Sequence, residues 1–418
     1  MAPGQAVRDA SGPTVSVVVP VRNGSVDIAA CLDAIAASTR RPDEVLVVDD
    51  GSTDDTALVA RQRGARVLRL DRNRGPAHAR NRGVEVASGA IVLFVDADVR
   101  VHPDAIAVAV DAMRDPGVTA VFGSYDETPG DPGFVSQYKN LFHHWVHQHA
   151  RTEASTFWTG CGAIRRATFL AIGGFNEGYR RPSIEDIELG FRLRAAGCRI
   201  RLEKRMLASH AKRWRLLDLL RTDVLLRGVP WIALMLRDRH APRDLNLSSA
   251  SKIATLVAGL FVVSVLLLPL LGQALAVLPA LALVAAGILA ARLAAPTRGP
   301  APLRSLIAVL AAILAPGTAL ALVGEPLALL PLGLLVGLAL THLDLYTFFA
   351  GRRSVAFAVG VLPMHLLFQL SCAASVPLGL LQHRRDRRRA RRAAEGPAIR
   401  ELPPLVAADE DRMRRAGA

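Results

Sequence analysis

The sequence predicts an α/β domain on a mixed, mainly parallel sheet, followed by an α-helical transmembrane domain. Three observations carry this. Short runs of apolar, largely β-branched residues alternate with amphipathic segments over the first 215 residues, the pattern of βαβ units. Two of those runs end abruptly in carboxylates, Asp49-Asp50 and Asp96-Ala97-Asp98. Beyond about residue 245 long apolar stretches take over, so the 51% hydrophobic content and mean hydropathy of +0.28 reflect mainly the second half.

The elements follow in order. Residues 14–20 form a buried strand stopped by Pro20. Residues 26–37 form a helix with Ile28, Cys31, Leu32 and Ile35 on one face. Residues 44–49 form a second strand, which runs into the turn Asp50-Gly51-Ser52-Thr53-Asp54-Asp55 with N-cap residues for the next helix. A short third strand covers 67–70, and a helix over 76–87 opens with proline in its first turn. The fourth strand, 91–95, is wholly apolar and delivers Asp96 and Asp98 at its end. Right-handed crossovers make these strands parallel, and ligands of such sheets bind outside the carboxyl ends.

No G-x-G-x-x-G follows the first strand, which counts against a dinucleotide site. The acidic strand ends suit a nucleotide held through base or ribose contacts at Asp49 or Asp50. Asp96 and Asp98 suit a divalent cation that neutralises a diphosphate. Turn and capping chemistry is the alternative for residues 50–55. The net charge of +14 does not indicate nucleic acid: no basic stripe with interleaved aromatics, recognition helix or zinc spacing is present. Many arginines flank apolar segments or follow Gln382, where anionic lipid headgroups are the expected partner. The four cysteines are scattered with no C-x-x-C, as in a reduced, cytoplasmic domain. Residues 1–13 carry no apolar core, and are expected to be a disordered N-terminus and not a signal peptide.

In order and spacing, the segments 15–20, 47–55, Gly75-Pro76-Ala77-His78-Ala79-Arg80-Asn81-Arg82-Gly83, 94–98, 158–165, Gly173-Gly174-Phe175-Asn176-Glu177 and Ile184-Glu185-Asp186-Ile187-Glu188 resemble a family 2 glycosyltransferase of the GT-A fold. The resemblance covers about residues 14–215. It implies a nucleotide-sugar donor, Mg²⁺ or Mn²⁺, and inversion at the anomeric carbon. Pro20 and Asp50, with Asp49 beside them, match the nucleoside pocket. Arg80 and Asn81 match the helix that closes on the donor. Asp96 and Asp98 match the D-x-D pair, with Asp98 the more direct metal ligand. Asp186, next to Glu185, matches the acceptor-side general base.

An inverting transfer needs a base on the face opposite the leaving diphosphate. Glu185 and Asp186 open a helix with Ile184, Ile187 and Phe191 on one face, which can present a carboxylate to a cleft. Stabilising that helix start is the competing role. Thr159-Gly160-Cys161-Gly162 follows Phe157-Trp158; its small residues allow close approach to an acceptor sugar, and the aromatic pair offers a stacking platform. Cys161 reads as pocket lining, since inverting transfer requires no nucleophile. His143 and His147 share a face of a helix over 134–150, yet no H-E-x-x-H or intervening carboxylate accompanies them. With His144 and His149 they read as a polar face near the acceptor or the membrane. His210-Ala211-Lys212-Arg213-Trp214 is similar to the Q-x-x-R-W motif of processive polysaccharide synthases, with His210 in place of glutamine. That similarity implies acceptor stacking by Trp214 and diphosphate neutralisation by Arg213, with His210 free to contact phosphate or metal. The start of an interfacial amphipathic helix is the alternative.

Residues 216–250 mix basic and apolar side chains, as interfacial helices do. Spans are expected at 252–271, 274–291, 306–323 and 326–343, with arginine-bearing loops on the cytoplasmic side. The stretch 354–381 could span, re-enter or lie at the interface, because the arginines from 384 onward otherwise break the charge rule. The membrane domain thus covers 251–382 and a basic tail 383–418. The expectation is a multi-pass protein of the inner (plasma) membrane with a cytoplasmic catalytic domain. It transfers a sugar to a lipid-linked or glycolipid acceptor. A processive polysaccharide synthase is the runner-up and an inactive transferase-like scaffold a third reading. A nucleotidyltransferase would want a better glycine- and basic-rich loop than Val21-Arg22-Asn23-Gly24-Ser25.

Overall fold

The computed structural model describes residues 12–240, 249–294 and 301–394. The expected disordered N-terminus lies almost wholly, and the basic tail in larger part, outside the described residues.

The first elements are β1 (Val15–Val21), α1 (Ser25–Ala36), β2 (Glu44–Asp49), α2 (Thr56–Gln62), β3 (Arg66–Arg69), α3 (Pro76–Val86) and β4 (Ile91–Val95). Their order in space, β3-β2-β1-β4, is parallel throughout. The crossover helices explain that: each carries the chain back to the same edge before the next strand begins. Then come β5 (Val99–Val101), α4 (Ala105–Ala112), β6 (Val118–Tyr125), α5 (Phe134–His149), β7 (Glu153–Ala154), β8 (Cys161–Arg165), α6 (Arg166–Ala171), α7 (Glu185–Ala195) and β9 (Arg199–His210). Here β8 runs antiparallel to both β4 and β6, and β5 and β7 run antiparallel to β9. The sheet is therefore mixed, and outside the first four strands only β6–β9 pair in parallel.

Both faces of the sheet are covered. Val17, Val19 and Leu93 pack with Ile28, Leu32 and Ile106 from α1 and α4. Val18, Val92 and Phe94 pack on the other side with Ala77, Phe169, Leu189 and Leu193 from α3, α6 and α7. The strands read as continuous apolar runs because both faces are buried. Gly75 at the entry to α3 has φ +98°, and a Cβ there would fall 2.5 Å from the carbonyl oxygen of Arg180. Only glycine meets both demands.

After the sheet, α8 (Leu216–Arg221) passes through a π-helical stretch, Thr222–Gly228, into α9 (Val229–Asp238). Leu234 of α9 packs on Ile184 and Phe191 of α7, the face expected from the sequence. The apolar half comprises α10 (Ser249–Leu270), α11 (Leu278–Ala294), α12 (Ala301–Val323), α13 (Leu329–Leu340), α14 (Leu343–Arg352) and α15 (Val355–Ala394). Among the described residues, four helices are long and apolar enough to cross a membrane: Ser249–Leu270, Ala274–Ala294, Ser305–Val323 and Val355–Ala390.

The span expected at 326–343 is not one straight helix. Pro326–Leu340 bends by 66° into Leu343–Arg352. His342 breaks the helix with non-helical φ −134° and ψ 41°, and the 12 residues of α13 rise only about 18 Å against a hydrocarbon core of about 30 Å. Both ends of the apolar part of α15 touch elements fixed to the sheet domain. Phe357 packs with Tyr138 and Trp214, and Gly379 sits so close to Ile232 of α9 that a Cβ would meet it at 2.5 Å.

Candidate active site

The donor side is built at the carboxyl ends of β1, β2 and β4. Pro20 lies half-buried near the end of β1, opposite Val48. Asp49 is fully buried; it accepts a hydrogen bond from Ser52 N at 2.8 Å and lies 3.6 Å from Arg69. Asp50 accepts from the backbone N–H groups of Arg74 and Gly75, each at 2.8 Å. Asp49 therefore holds the turn that leads into α2, and Asp50 the segment that leads into α3, whatever else they contact.

Arg80 is the residue that joins the cleft together. Its guanidinium, 4% exposed, donates to Asp96 Oδ1 at 2.7 Å and to Glu185 Oε1 at 2.9 Å. Burial opposes its charge, but the two carboxylates over-compensate and raise its pKa. The D-x-D strand end and the start of α7 are thereby tied across one cation. The Asn81 side chain is engaged within the fold: it donates to Phe175 O and Glu177 and accepts from Phe175 N. It pins the segment before α7.

Asp98 is brought to His210 by sheet register, since β5 pairs with β9 so that Val99 faces His210. His210 Nε2 lies 3.4 Å from Asp98 Oδ2, and its Nδ1 lies 2.8 Å from Asn140 Oδ1. Its ring stacks on Tyr125 at 4.5 Å and 8°. An amide oxygen only accepts, so Nδ1 donates to Asn140, while Nε2 faces Asp98 and can either donate to it or, without a hydrogen, meet a cation. Burial alone would raise the Asp98 carboxyl, but His210 and Lys212 hold it below its ordinary value. Among the described residues no three His, Cys, Asp or Glu side chains converge as a metal cage. The expected set of Asp96, Asp98 and His210 is thus a pair, with Asp96 turned to Arg80. A pair fits a hard cation that completes its shell with water and phosphate oxygens.

Asp186 opens α7 as expected. Ile187 N donates to its Oδ1 at 2.8 Å, and Thr159 N reaches its Oδ2 at a long 3.4 Å. Burial and the neighbouring Glu185 raise its carboxyl to about 7. Glu185 itself is engaged by Arg80 and by Ser183 N at 2.9 Å.

The acceptor side corrects several expectations. Gly160 and Gly162 make room for the chain's own aromatics: a Cβ would lie 2.3 Å from the Trp158 ring at Gly160 and 2.2 Å from Trp158 O at Gly162. Cys161 does not line a pocket; it is fully buried on β8, and burial, with Asp96, pushes its thiol up to about 12. Phe157 is core between Phe94 and Phe122, so only Trp158 keeps exposure. The histidine face of α5 packs inward on β6: His144 Nδ1 meets Tyr125 O at 2.6 Å and His147 Nδ1 meets Gly123 O at 2.9 Å. Trp214 is 7% exposed within the junction of α5, α14 and α15, with Lys212 4.1 Å above its ring. It is not open to an acceptor sugar. Arg213 is exposed and, among the described residues, makes no hydrogen bond or ion pair. Sequence reasoning missed Tyr125, Asn140 and the bridging role of Arg80, which only the register of β5, β6 and β9 and the packing of α3 reveal.

The model described as glycosyl transferase family 2 matches residues 16–187. Glycosyltransferase AglE of Haloferax volcanii is 36% identical over 137 residues, 31% of this chain and 45% of its own length. The pre-mycofactocin glycosyltransferase of Mycobacterium tuberculosis is 30% identical over 225 residues, 50% of this chain and 46% of its own. Validoxylamine A glucosyltransferase of Streptomyces hygroscopicus is 30% identical over 220 residues, 44% and 49%. The chain thus spans less than half the length of these curated relatives. Among solved structures, a mannosyltransferase from Pyrobaculum calidifontis in complex with GDP-Man and Mn²⁺ is similar over 88% of both chains, at 20% identity and a TM-score of 0.47. Residues 16–187 are thus similar to glycosyl transferase family 2 and are built on a GT-A-like mixed sheet.

Proposed function

We propose that this chain is a membrane-bound, inverting glycosyltransferase. It moves one sugar from a nucleotide-sugar donor to a lipid-linked or glycolipid acceptor at the cytoplasmic face of the inner (plasma) membrane. The observation that carries this reading is the Arg80 bridge between Asp96 and Glu185, which sets a D-x-D strand end against a carboxylate-bearing helix start. Asp98 and His210 would hold Mg²⁺ or Mn²⁺, which when bound neutralises the leaving diphosphate. Asp186 takes the acceptor hydroxyl proton as the new bond forms, and a carboxyl raised to about 7 is well matched to that task near neutral pH. Glu185 keeps Arg80 in place beside it.

Membrane association rests on the apolar helices, and orientation on the arginines. Arg352 meets Glu127 at 2.9 Å and Arg353 donates to Gln137 at 2.9 Å, so this basic loop lies on the side of the catalytic domain, in keeping with a cytoplasmic setting. With both of its ends at the domain, α15 is best read as lying along the interface. The processive-synthase reading loses its main support, because Trp214 is packed inside the junction.

The test incubates membranes containing the protein with a panel of radiolabelled nucleotide sugars and extracts the lipids. Label in a discrete lipid product is expected. Label only in polymer favours the synthase, and no label from a protein that still binds nucleotide favours a scaffold.

A further inference from the structure

We propose that Arg227 binds a phosphate on the acceptor, so that the acceptor is a sugar carried on a lipid phosphate and not a neutral glycolipid; this rests on the transferase reading above. Arg227 sits in the π-helical stretch between α8 and α9, a distortion that recurs at functional sites. The stretch is wedged between the cleft and the apolar helices. On one side Ser183 Oγ donates to Leu226 O at 2.5 Å, two residues before Glu185. On the other, Gly228 lies so close to α15 that a Cβ would fall 2.1 Å from Ser375 Oγ.

The charge of Arg227 acts on Asp186 of α7, Tyr125 of β6, and Lys139 and His143 of α5. The stretch that carries it is tied to the start of α7 through Ser183 and Leu226 and to α5 through Lys139 and Asp223, at the acceptor end of the cleft. The side chain is exposed and, among the described residues, makes no hydrogen bond or ion pair of its own. Its natural partner four residues back, Asp223, is held instead by Lys139 at 2.7 and 3.0 Å. Among the described residues the Arg227 cation is left without a partner.

The cleft is acidic. Asp96, Asp98, Glu185 and Asp186 are countered there by Arg80, by Lys212 acting on Asp98, and by His210 at 3.4 Å from Asp98. An anionic acceptor entering from the membrane side is repelled by that set unless a cation receives it; a neutral glycoside needs none. A base at Asp186 calls for a hydroxyl nucleophile. The phosphate is then the linkage of the acceptor sugar to its lipid, and the guanidinium fork suits it.

The experiment uses the membranes described above with farnesyl phosphate and farnesol as competitors of lipid labelling. The wild-type protein is expected to be inhibited by farnesyl phosphate well below the concentration at which farnesol acts. Arg227→Gln should shrink that preference by about tenfold to a hundredfold, the worth of one or two charge-assisted hydrogen bonds, and leave UDP and GDP binding unchanged. Arg227→Lys, which keeps the charge but not the fork, should fall between. An unchanged preference in Arg227→Gln overturns the proposal, as does weakened nucleotide binding, which assigns the cation to the donor diphosphate. If Arg227→Gln labels no lipid at all, the preference of Arg227→Lys decides, wild-type values overturning the proposal. Wild-type membranes that label no lipid overturn the transferase reading itself, a distinct result.

Discussion

The donor half and the acceptor half of the cleft use the same residue types under different rules. On the donor side Asp49 is held within its own turn by Ser52 N, and Asp50 by the backbone of Arg74 and Gly75, 24 and 25 residues on. On the acceptor side the partners are remote in sequence. Glu185 depends on Arg80 across 105 residues, and at the metal pair His210 likewise depends on Asn140 across 70. Backbone at the strand ends thus positions Asp49 and Asp50, whereas side chains packed from distant elements position Glu185 and His210. Residue type alone is a safe guide only in the first half.

The largest expected effect strikes where the halves meet. Asp186→Asn keeps the shape of the base but cannot take a proton, so turnover should fall by about two to four orders of magnitude. Nucleotide-sugar binding should stay near normal, because that belongs to the other half. Equal loss of both would erase the division. The groups facing Asp186 are Glu185, Arg80, Arg227 and Thr159, and with its carboxyl raised to about 7, wild-type kcat/KM should climb as pH rises through that value. Stability should move the opposite way. A raised carboxyl binds a proton in the folded state that the unfolded chain, at about 3.9, has already lost. Folding stability therefore falls as pH rises from about 4 to about 7, and a thermal melt of Asp186→Asn should lack that fall.

Next in size is the bridge. Arg80→Met leaves the buried Glu185 and the third-exposed Asp96 without their cation. The cost should be about 3 kcal/mol, the low end for a broken buried pair because Asp96 remains partly solvated. Adding Glu185→Gln should recover part of it. Additive losses in thermal melts of the single and double variants would mean that the two halves are held together by something else.

The legible part of this molecule follows from the same division. Residues 44–49, 91–95 and the α7 face of Ile184, Ile187 and Phe191 were readable because burial on two sheet faces or one helix face leaves a period in the sequence. Gly160, Cys161, Trp158 and Trp214 were readable as a cluster but not in their roles. Small and aromatic residues serve a sugar pocket and a tight core equally well, and only the Trp158 ring over Gly160 and the burial of Trp214 decide between them. The 66° bend after Leu340 was hidden because hydropathy does not register the single broken residue, His342.

A smaller effect is expected at Asn140, which touches no proposed substrate. Asn140→Leu removes the acceptor that fixes the Nδ1 hydrogen of His210. Mn²⁺ affinity, read by calorimetry with nucleotide present, should weaken by about tenfold to a hundredfold, as for other residues that orient a ligating histidine. Unchanged affinity would remove His210 from the metal and leave Asp98 without its partner.

The smallest effect should come from Trp214→Phe, and it separates the two readings of that residue most sharply. Its backbone N–H to Ser136 Oγ, at 2.8 Å, survives the change. A phenyl ring still fills most of the space among Tyr138, Leu219, Phe349 and Phe357. What is lost is part of the ring volume and part of the cation–π contact with Lys212 at 4.1 Å, the latter worth about 0.5–1 kcal/mol. A loss of about 1–2 kcal/mol in total is expected, since removing the whole side chain from a core costs about 3–5. A side chain that stacked on the acceptor sugar would instead change acceptor KM and leave the melting temperature alone. The junction role predicts a slightly lower Tm with acceptor KM within about twofold of wild type, far below the ~tenfold per 1.4 kcal/mol that a lost contact of substance produces. The reverse pattern would require the junction to open in the working enzyme, and would return Trp214 to the acceptor half of the cleft.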